Sequence, residues 1–164
     1  MKKNIVLIGM ASAGKSTVSE ALAECTGREC IDMDARLVES FGMSIREYFT
    51  HHSEKEFRDA ETALCQSLRN EQNKIISCGG GVILREENMT ALKENGLIVW
   101  ITRDPSQLHG SGDRPLMSSD EKVRAVYKER LPLYQKYSDI TVENEGTPQA
   151  AAGKILKIME ERNI

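Results

Sequence analysis

The chain has 164 residues, 40% of them hydrophobic and 29% charged, enough for one well-buried core and too few for two ordinary domains. Its 22 basic and 25 acidic residues leave a formal charge of -3, so nothing points to a nucleic-acid backbone or an anionic membrane as partner, and ligand charge must be met locally. No apolar run approaches the ~18 residues of a membrane span, and the stretch after Lys2 and Lys3 lacks a small-residue cleavage site, which makes it a strand rather than a secretion signal.

The first predicted strand is Ile5 to Ile8, and directly after it Gly9-Met10-Ala11-Ser12-Ala13-Gly14-Lys15-Ser16-Thr17 satisfies G-x-x-x-x-G-K-[ST]. A strand that stops at a glycine turn and restarts as a helix, here around Val18 to Ala23, aims backbone N–H groups and the positive end of a helix dipole at one point. Polyphosphate fits there, with Lys15 on the β and γ phosphates and the Ser16 hydroxyl available to Mg²⁺. A second short strand at Cys30-Ile31 leads to Asp32 and Asp34. In extended chain these carboxylates point the same way, which suits one to a metal-bound water and one to a substrate hydroxyl. Asp at a strand end also commonly caps the next helix.

Ser53-x-x-Glu56 is a capping box, and Phe57, Ala60, Leu64 and Leu68 mark the apolar face of the helix that follows. Taken singly, Arg58 reads as pairing with Glu61 on a neighbouring solvated face. The strand Lys74 to Ser77 ends in Gly79-Gly80-Gly81, whose bare backbone invites close approach by a ligand. After a strand at Leu97 to Ile101, Gly110-Ser111-Gly112-Asp113-Arg114-Pro115 sets a planar cation in a flexible loop, as a lid over a triphosphate requires. Ser118-x-x-Glu121 then opens a helix bearing Arg130, which alone reads as pairing with local acids. A last strand, Ile140 to Val142, precedes a helix capped by Thr147-Pro148 and running through Ala151, Ile155 and Ile158. Strands alternating with helices imply a parallel sheet of about five strands in a three-layer α/β/α sandwich, with the phosphate loop at its carboxyl edge.

Cys25, Cys30, Cys65 and Cys78 contain no C-x-x-C pair and read as reduced core or near-core thiols. His51 and His52 are adjacent, so on a helix they diverge, and His109 is distant; no zinc site is expected.

Together the phosphate loop, Asp32-x-Asp34, Phe57-Arg58-x-x-Glu61, Gly79-Gly80-Gly81, Arg114-Pro115-Leu116 and Arg130-x-x-Leu133-Tyr134 resemble shikimate kinase in order and approximate spacing, over about Ile5 to Val142. The resemblance implies a P-loop fold like that of the nucleoside monophosphate kinases, with sheet order 2-3-1-4-5, spanning residues 1–164 as one kinase domain. Within it, a substrate-binding helical segment covers about residues 33–61 and a lid about residues 108–118. It further implies ATP- and Mg²⁺-dependent phosphorylation of the shikimate 3-hydroxyl by a cytoplasmic, usually monomeric enzyme of chorismate biosynthesis.

Carried over by position, Gly9 to Thr17 hold ATP, with Lys15 also catalytic. Ser16 and Asp32 serve the metal, and Asp34 orients or deprotonates the hydroxyl. Arg58 and Arg130 grip the shikimate carboxylate beside Gly79, Gly80 and Gly81, and Arg114 meets the transferring phosphate. The chain departs from the family at Ser12 and Ala13, where a further glycine is common, and in lacking the arginine that often precedes the lid and stacks on adenine. That leaves His109 and the loop from Gly146 to Pro148 for the base. A gluconate-kinase-like enzyme would share the loop without needing two carboxylate-gripping arginines. A nucleoside monophosphate kinase would need a longer lid than Asp104 to Ser118 allows, and a nucleotide switch would need an N-K-x-D motif that is absent.

Overall fold

The computed structural model describes residues 3–164. Five parallel strands, β1 (Asn4–Ile8), β2 (Cys30–Asp32), β3 (Ile75–Ser77), β4 (Gly96–Thr102) and β5 (Ile140–Glu143), lie in the order β2-β3-β1-β4-β5. The central strand β1 is buried along its whole length, as expected for an Ile/Val/Leu run covered on both faces. It pairs Ile5 with Ile75 on one side and with Leu97 on the other. Strand order reverses there, so the loop leaving β1 opens into the crevice where such sheets hold ligands.

Among the described residues seven α-helices cover the sheet: α1 (Lys15–Thr26), α2 (Met33–Phe41), α3 (Ile45–His51), α4 (Glu54–Ser67), α5 (Glu86–Glu94), α6 (Asp120–Tyr137) and α7 (Pro148–Glu161). Their ends follow local sequence chemistry. Ser53 and Glu56 form the complete capping box of α4, and Thr147 accepts from Ala150 N–H at the start of α7, with Pro148 in the first turn. Helix α6 starts one residue later than Ser118-x-x-Glu121 predicts. Ser118 is helical (φ -76°, ψ -11°) as the end of the short turn Pro115–Met117, so the extended capping geometry falls to Ser119, whose hydroxyl accepts from Lys122 N–H. Helix α1 packs on α7 and α4 on α5.

The pieces between β2 and β3 are held by aromatic stacking: Tyr48 lies between Phe41 (3.8 Å) and His52 (4.1 Å), with Phe57 alongside. This fixes the α2–α4 segment over the carboxyl edge. Of the four thiols only Cys65 and Cys78 are buried; Cys25 and Cys30 are exposed, a correction to the core reading for that pair.

Candidate active site

The phosphate loop is shaped by backbone conformations that most residues avoid. Gly9 (φ 147°) and Gly14 (φ 91°) are in positive-φ regions, and Ser12 (φ 66°) adopts the left-handed conformation without being glycine. A Cβ on Gly9 would stand 2.5 Å from the Ile101 carbonyl oxygen, and one on Gly14 would collide with Asn144. Lys15, the first residue of α1, turns its buried ammonium back onto the loop, donating to Gly9 O (2.6 Å) and Met10 O (2.8 Å). Burial lowers its pKa from 10.5 to about 8, with the nearby Asp34 carboxylate opposing the shift. Lys15, Ser16, Thr17, Asp32 and Arg114 line one cavity.

Asp32 and Asp34 both reach that cavity, though not through the extended geometry expected of them. Asp32 ends β2 and caps α2, one carboxylate oxygen accepting from Ala35 N–H (3.1 Å). Asp34 sits in the first turn of that helix. The capping and the site readings therefore hold together. Burial raises the Asp34 pKa above the usual carboxylate value, and Lys15 opposes the rise.

A second cavity, walled by Ile45, Phe49, Phe57, Leu116, Arg58 and Arg130, adjoins the first; Ala11, Asp34, Gly79, Gly80 and Arg114 line both. Neither Arg58 nor Arg130 is on a solvated face. They are 8% and 5% exposed, which corrects the surface pairings suggested by local spacing. Arg58 does pair with Glu61 at 3.1 Å, and with Glu54 at 3.6 Å, but Glu61 is itself 1% exposed, and burial raises its pKa against the pull of Arg58. Arg58 Nε and Arg130 Nη1 are buried with no hydrogen-bond partner among the described residues. A buried guanidinium donor left unmet is costly, so two of them lining one apolar-walled pocket suit it chemically to an anion.

The triple glycine has a sharper purpose than bare backbone. A Cβ on Gly79 would lie 2.8 Å from Asp34 Oδ1, one on Gly80 3.2 Å from Arg130 Nη1, and one on Gly81 would collide with the Arg58 guanidinium. Each glycine makes room for one functional side chain.

The segment expected to act as a lid is more firmly tied than its glycines suggest. The Ser12 hydroxyl accepts from His109 N–H (3.1 Å) and donates to His109 O (3.3 Å), and Gly110 N–H donates to Asp120 (2.9 Å). Gly110 packs so closely on Ser119 that a Cβ would stand 2.5 Å from its backbone; it serves contact rather than freedom. Arg114 reaches back to His109 O at 3.5 Å. The His109 ring lies 3.5 Å from Asp120.

The residues singled out from the sequence for phosphate, metal, hydroxyl or carboxylate lie on these two cavities, apart from Gly9, Met10 and Ala13, which shape the loop from behind; the candidates for the base, His109 and Gly146 to Pro148, line neither cavity. Missed were Asn144, whose buried amide donates to Ala13 O (2.8 Å), and Arg103, which donates to Ser12 O (3.1 Å). Both brace the phosphate loop from strand ends distant in sequence, and neither carries a motif that would announce it. Among the described residues no group of three or more His, Cys, Asp and Glu side chains could hold a metal. The hard oxygens of Ser16 and Asp32 facing the phosphate cavity suit a Mg²⁺ coordinated mainly by phosphate and water.

Comparison with known proteins agrees with this geometry. The family described as shikimate kinase matches residues 11–160. A shikimate kinase of Thermodesulfovibrio yellowstonii is 35% identical over 96% of this chain and 95% of its own, and one of Caldicellulosiruptor bescii is 36% identical over 95% of each. The solved shikimate kinase of Acinetobacter baumannii in complex with shikimate superposes with a TM-score of 0.93 at 32% identity, covering 100% of this chain and 96% of that one. A phosphate loop facing, across a shared aspartate, two buried arginines that each keep an unmet donor, and relatives similar over nearly the whole length, lead to one conclusion: the chain belongs to the shikimate kinase family.

Proposed function

We propose that the protein transfers the γ-phosphoryl group of ATP to the 3-hydroxyl of shikimate, giving shikimate 3-phosphate and ADP. The whole chain would act as one monomeric cytoplasmic unit on the route to chorismate. The observation that carries this reading is the pair of buried guanidiniums, Arg58 and Arg130, each with an unmet donor, beside Gly80 and Gly81 and within the cavity that Asp34 shares with the phosphate loop. A carboxylate gripped there brings a ring hydroxyl to Asp34, and the apolar wall of Ile45, Phe49 and Phe57 takes the ring.

Lys15 exchanges its two loop carbonyls for the β and γ phosphates. Arg114, at the junction of the cavities, meets the transferring group. Mg²⁺ bound by Ser16, and through water by Asp32, would offset phosphate charge. The hydroxyl oxygen forms the new bond to phosphorus, the bond to the bridging β–γ oxygen breaks, and Asp34 accepts the hydroxyl proton. Its raised pKa suits that task, because a carboxylate desolvated by burial is a stronger base than one in water. The test is an acceptor panel: ADP release with shikimate, gluconate and nucleoside monophosphates. Turnover confined to shikimate is expected; turnover on another acceptor with none on shikimate contradicts the reading.

A further inference from the structure

The acceptor pocket and the phosphate loop are carried by different elements, and in-line transfer requires their separation to be fixed, since a misplacement of ~1 Å can cost on the order of 100-fold in rate. One buried hydroxyl lies where they meet. Tyr134 follows Arg130 by one turn of α6, is fully buried, and stacks on Trp100 of β4 with ring centroids 5.7 Å apart. Its hydroxyl donates to Gly80 O at 2.7 Å and stands 3.6 Å from Met10 Sδ in the phosphate loop. The hydroxyl has one proton, and the shorter oxygen contact takes it. Gly80 is wedged between the two sites: a Cβ there would lie 3.2 Å from Arg130 Nη1 and 3.4 Å from Ala11 N. The carbonyl that Tyr134 holds therefore belongs to the residue separating the carboxylate-binding arginine from the loop.

We propose that Tyr134 is a positioning residue that sets the gap between acceptor and phosphate donor, by pinning the Gly80 carbonyl from α6 while its hydroxyl packs against Met10. The inference rests on the phosphoryl-transfer reading above. Burial pushes the phenol up to about 12, against the pull of Arg130, so it remains a donor through neutral pH. Loss of the hydroxyl frees Gly80 to shift without removing any group that touches ATP or shikimate. Catalysis, rather than binding, then suffers.

The test compares Tyr134→Phe, which keeps the ring, with Tyr134→Leu, which loses packing as well. In Tyr134→Phe, kcat is expected to fall about tenfold to hundredfold, with the KM for shikimate and for ATP each within about twofold of wild type. The fraction of ATP cleaved without yielding shikimate 3-phosphate should rise. Relative to Tyr134→Leu, the Phe variant should recover the melting temperature but not kcat. A wild-type kcat and coupling ratio in Tyr134→Phe would overturn the proposal, as would a loss expressed wholly in the shikimate KM. Met10→Leu, a volume-conserving swap, disturbs the same joint from the loop side; raised uncoupled cleavage there supports the proposal even if Tyr134→Phe does not fold, and wild-type coupling counts against it. Failure of the functional reading is separable, because it shows as no shikimate turnover in the unmodified protein.

Discussion

At the scale of single residues, the site depends on charges held where water is scarce. Lys15→Met removes the buried ammonium while keeping an apolar stem, so the fold should persist and turnover should fall ~100- to 1000-fold, a loss of ~3 to 4 kcal/mol in stabilisation of developing charge. Steady-state assay with a thermal melt checks both halves. The depressed pKa gives this lysine a pH signature. With the folded value about 8 and the ordinary value 10.5, the nucleotide-free site loses its charge as pH rises through about 8, so kcat/KM for ATP should decline above that point. The linkage sign is opposite for stability: between those two values the unfolded chain binds the proton and the folded chain does not, so the Lys15 contribution makes the nucleotide-free protein more stable as pH rises. The two aspartates separate by substitution with Asn, which keeps the capping role of Asp32 because Asn caps as well as Asp. Asp32→Asn should raise the Mg²⁺ concentration needed for half-maximal rate, whereas Asp34→Asn should lower kcat at an unchanged Mg²⁺ requirement. Identical Mg²⁺ titrations for the two variants would refute that division.

At the scale of elements, α4 and α6 each deliver one arginine to a wall of glycines, and the fit is close enough to test by adding a methyl group. In Gly81→Ala the new Cβ meets the mobile end of Arg58 rather than fixed backbone. The fold should hold while Arg58 is displaced, and the KM for shikimate should rise with the KM for ATP unchanged. Arg130→Ala should show the same split, costing ~2 to 5 kcal/mol in kcat/KM for shikimate because it removes a charge-assisted partner of a desolvated carboxylate. Equal losses for both substrates would move these residues out of the acceptor pocket. Helix starts at this scale were legible from short-range chemistry: Ser53 with Glu56, and Thr147 before Pro148, fix their caps within four residues. Burial of Arg58 and Arg130 was not legible, because whether an i, i+3 pair such as Arg58 and Glu61 faces water or a cavity depends on which distant element covers it. The one-residue error at Ser118 has a local cause instead, the adjacent turn Pro115–Met117 claiming that serine first.

At the scale of the whole molecule, the parallel sheet brings to one carboxyl edge the ends of β1, β2 and β3, so residues as far apart as Lys15, Asp34 and Gly80 line connected cavities. The alternation of short apolar strands with helices made that layering readable, and the glycine loop after β1 named the edge. Sheet order came from the family resemblance rather than from any periodicity, since nothing local distinguishes which neighbour β1 chooses. The braces at Arg103 and Asn144 were invisible for the same reason: they act across the sheet, from the ends of β4 and β5. The central claim, that this edge holds a carboxylate-bearing alcohol for phosphorylation, is tested most directly by kcat/KM for shikimate against its neutral carboxamide analogue. The account predicts that removing the negative charge costs ~2 to 5 kcal/mol, or roughly 30- to 5000-fold. Equal use of the two acceptors would contradict it.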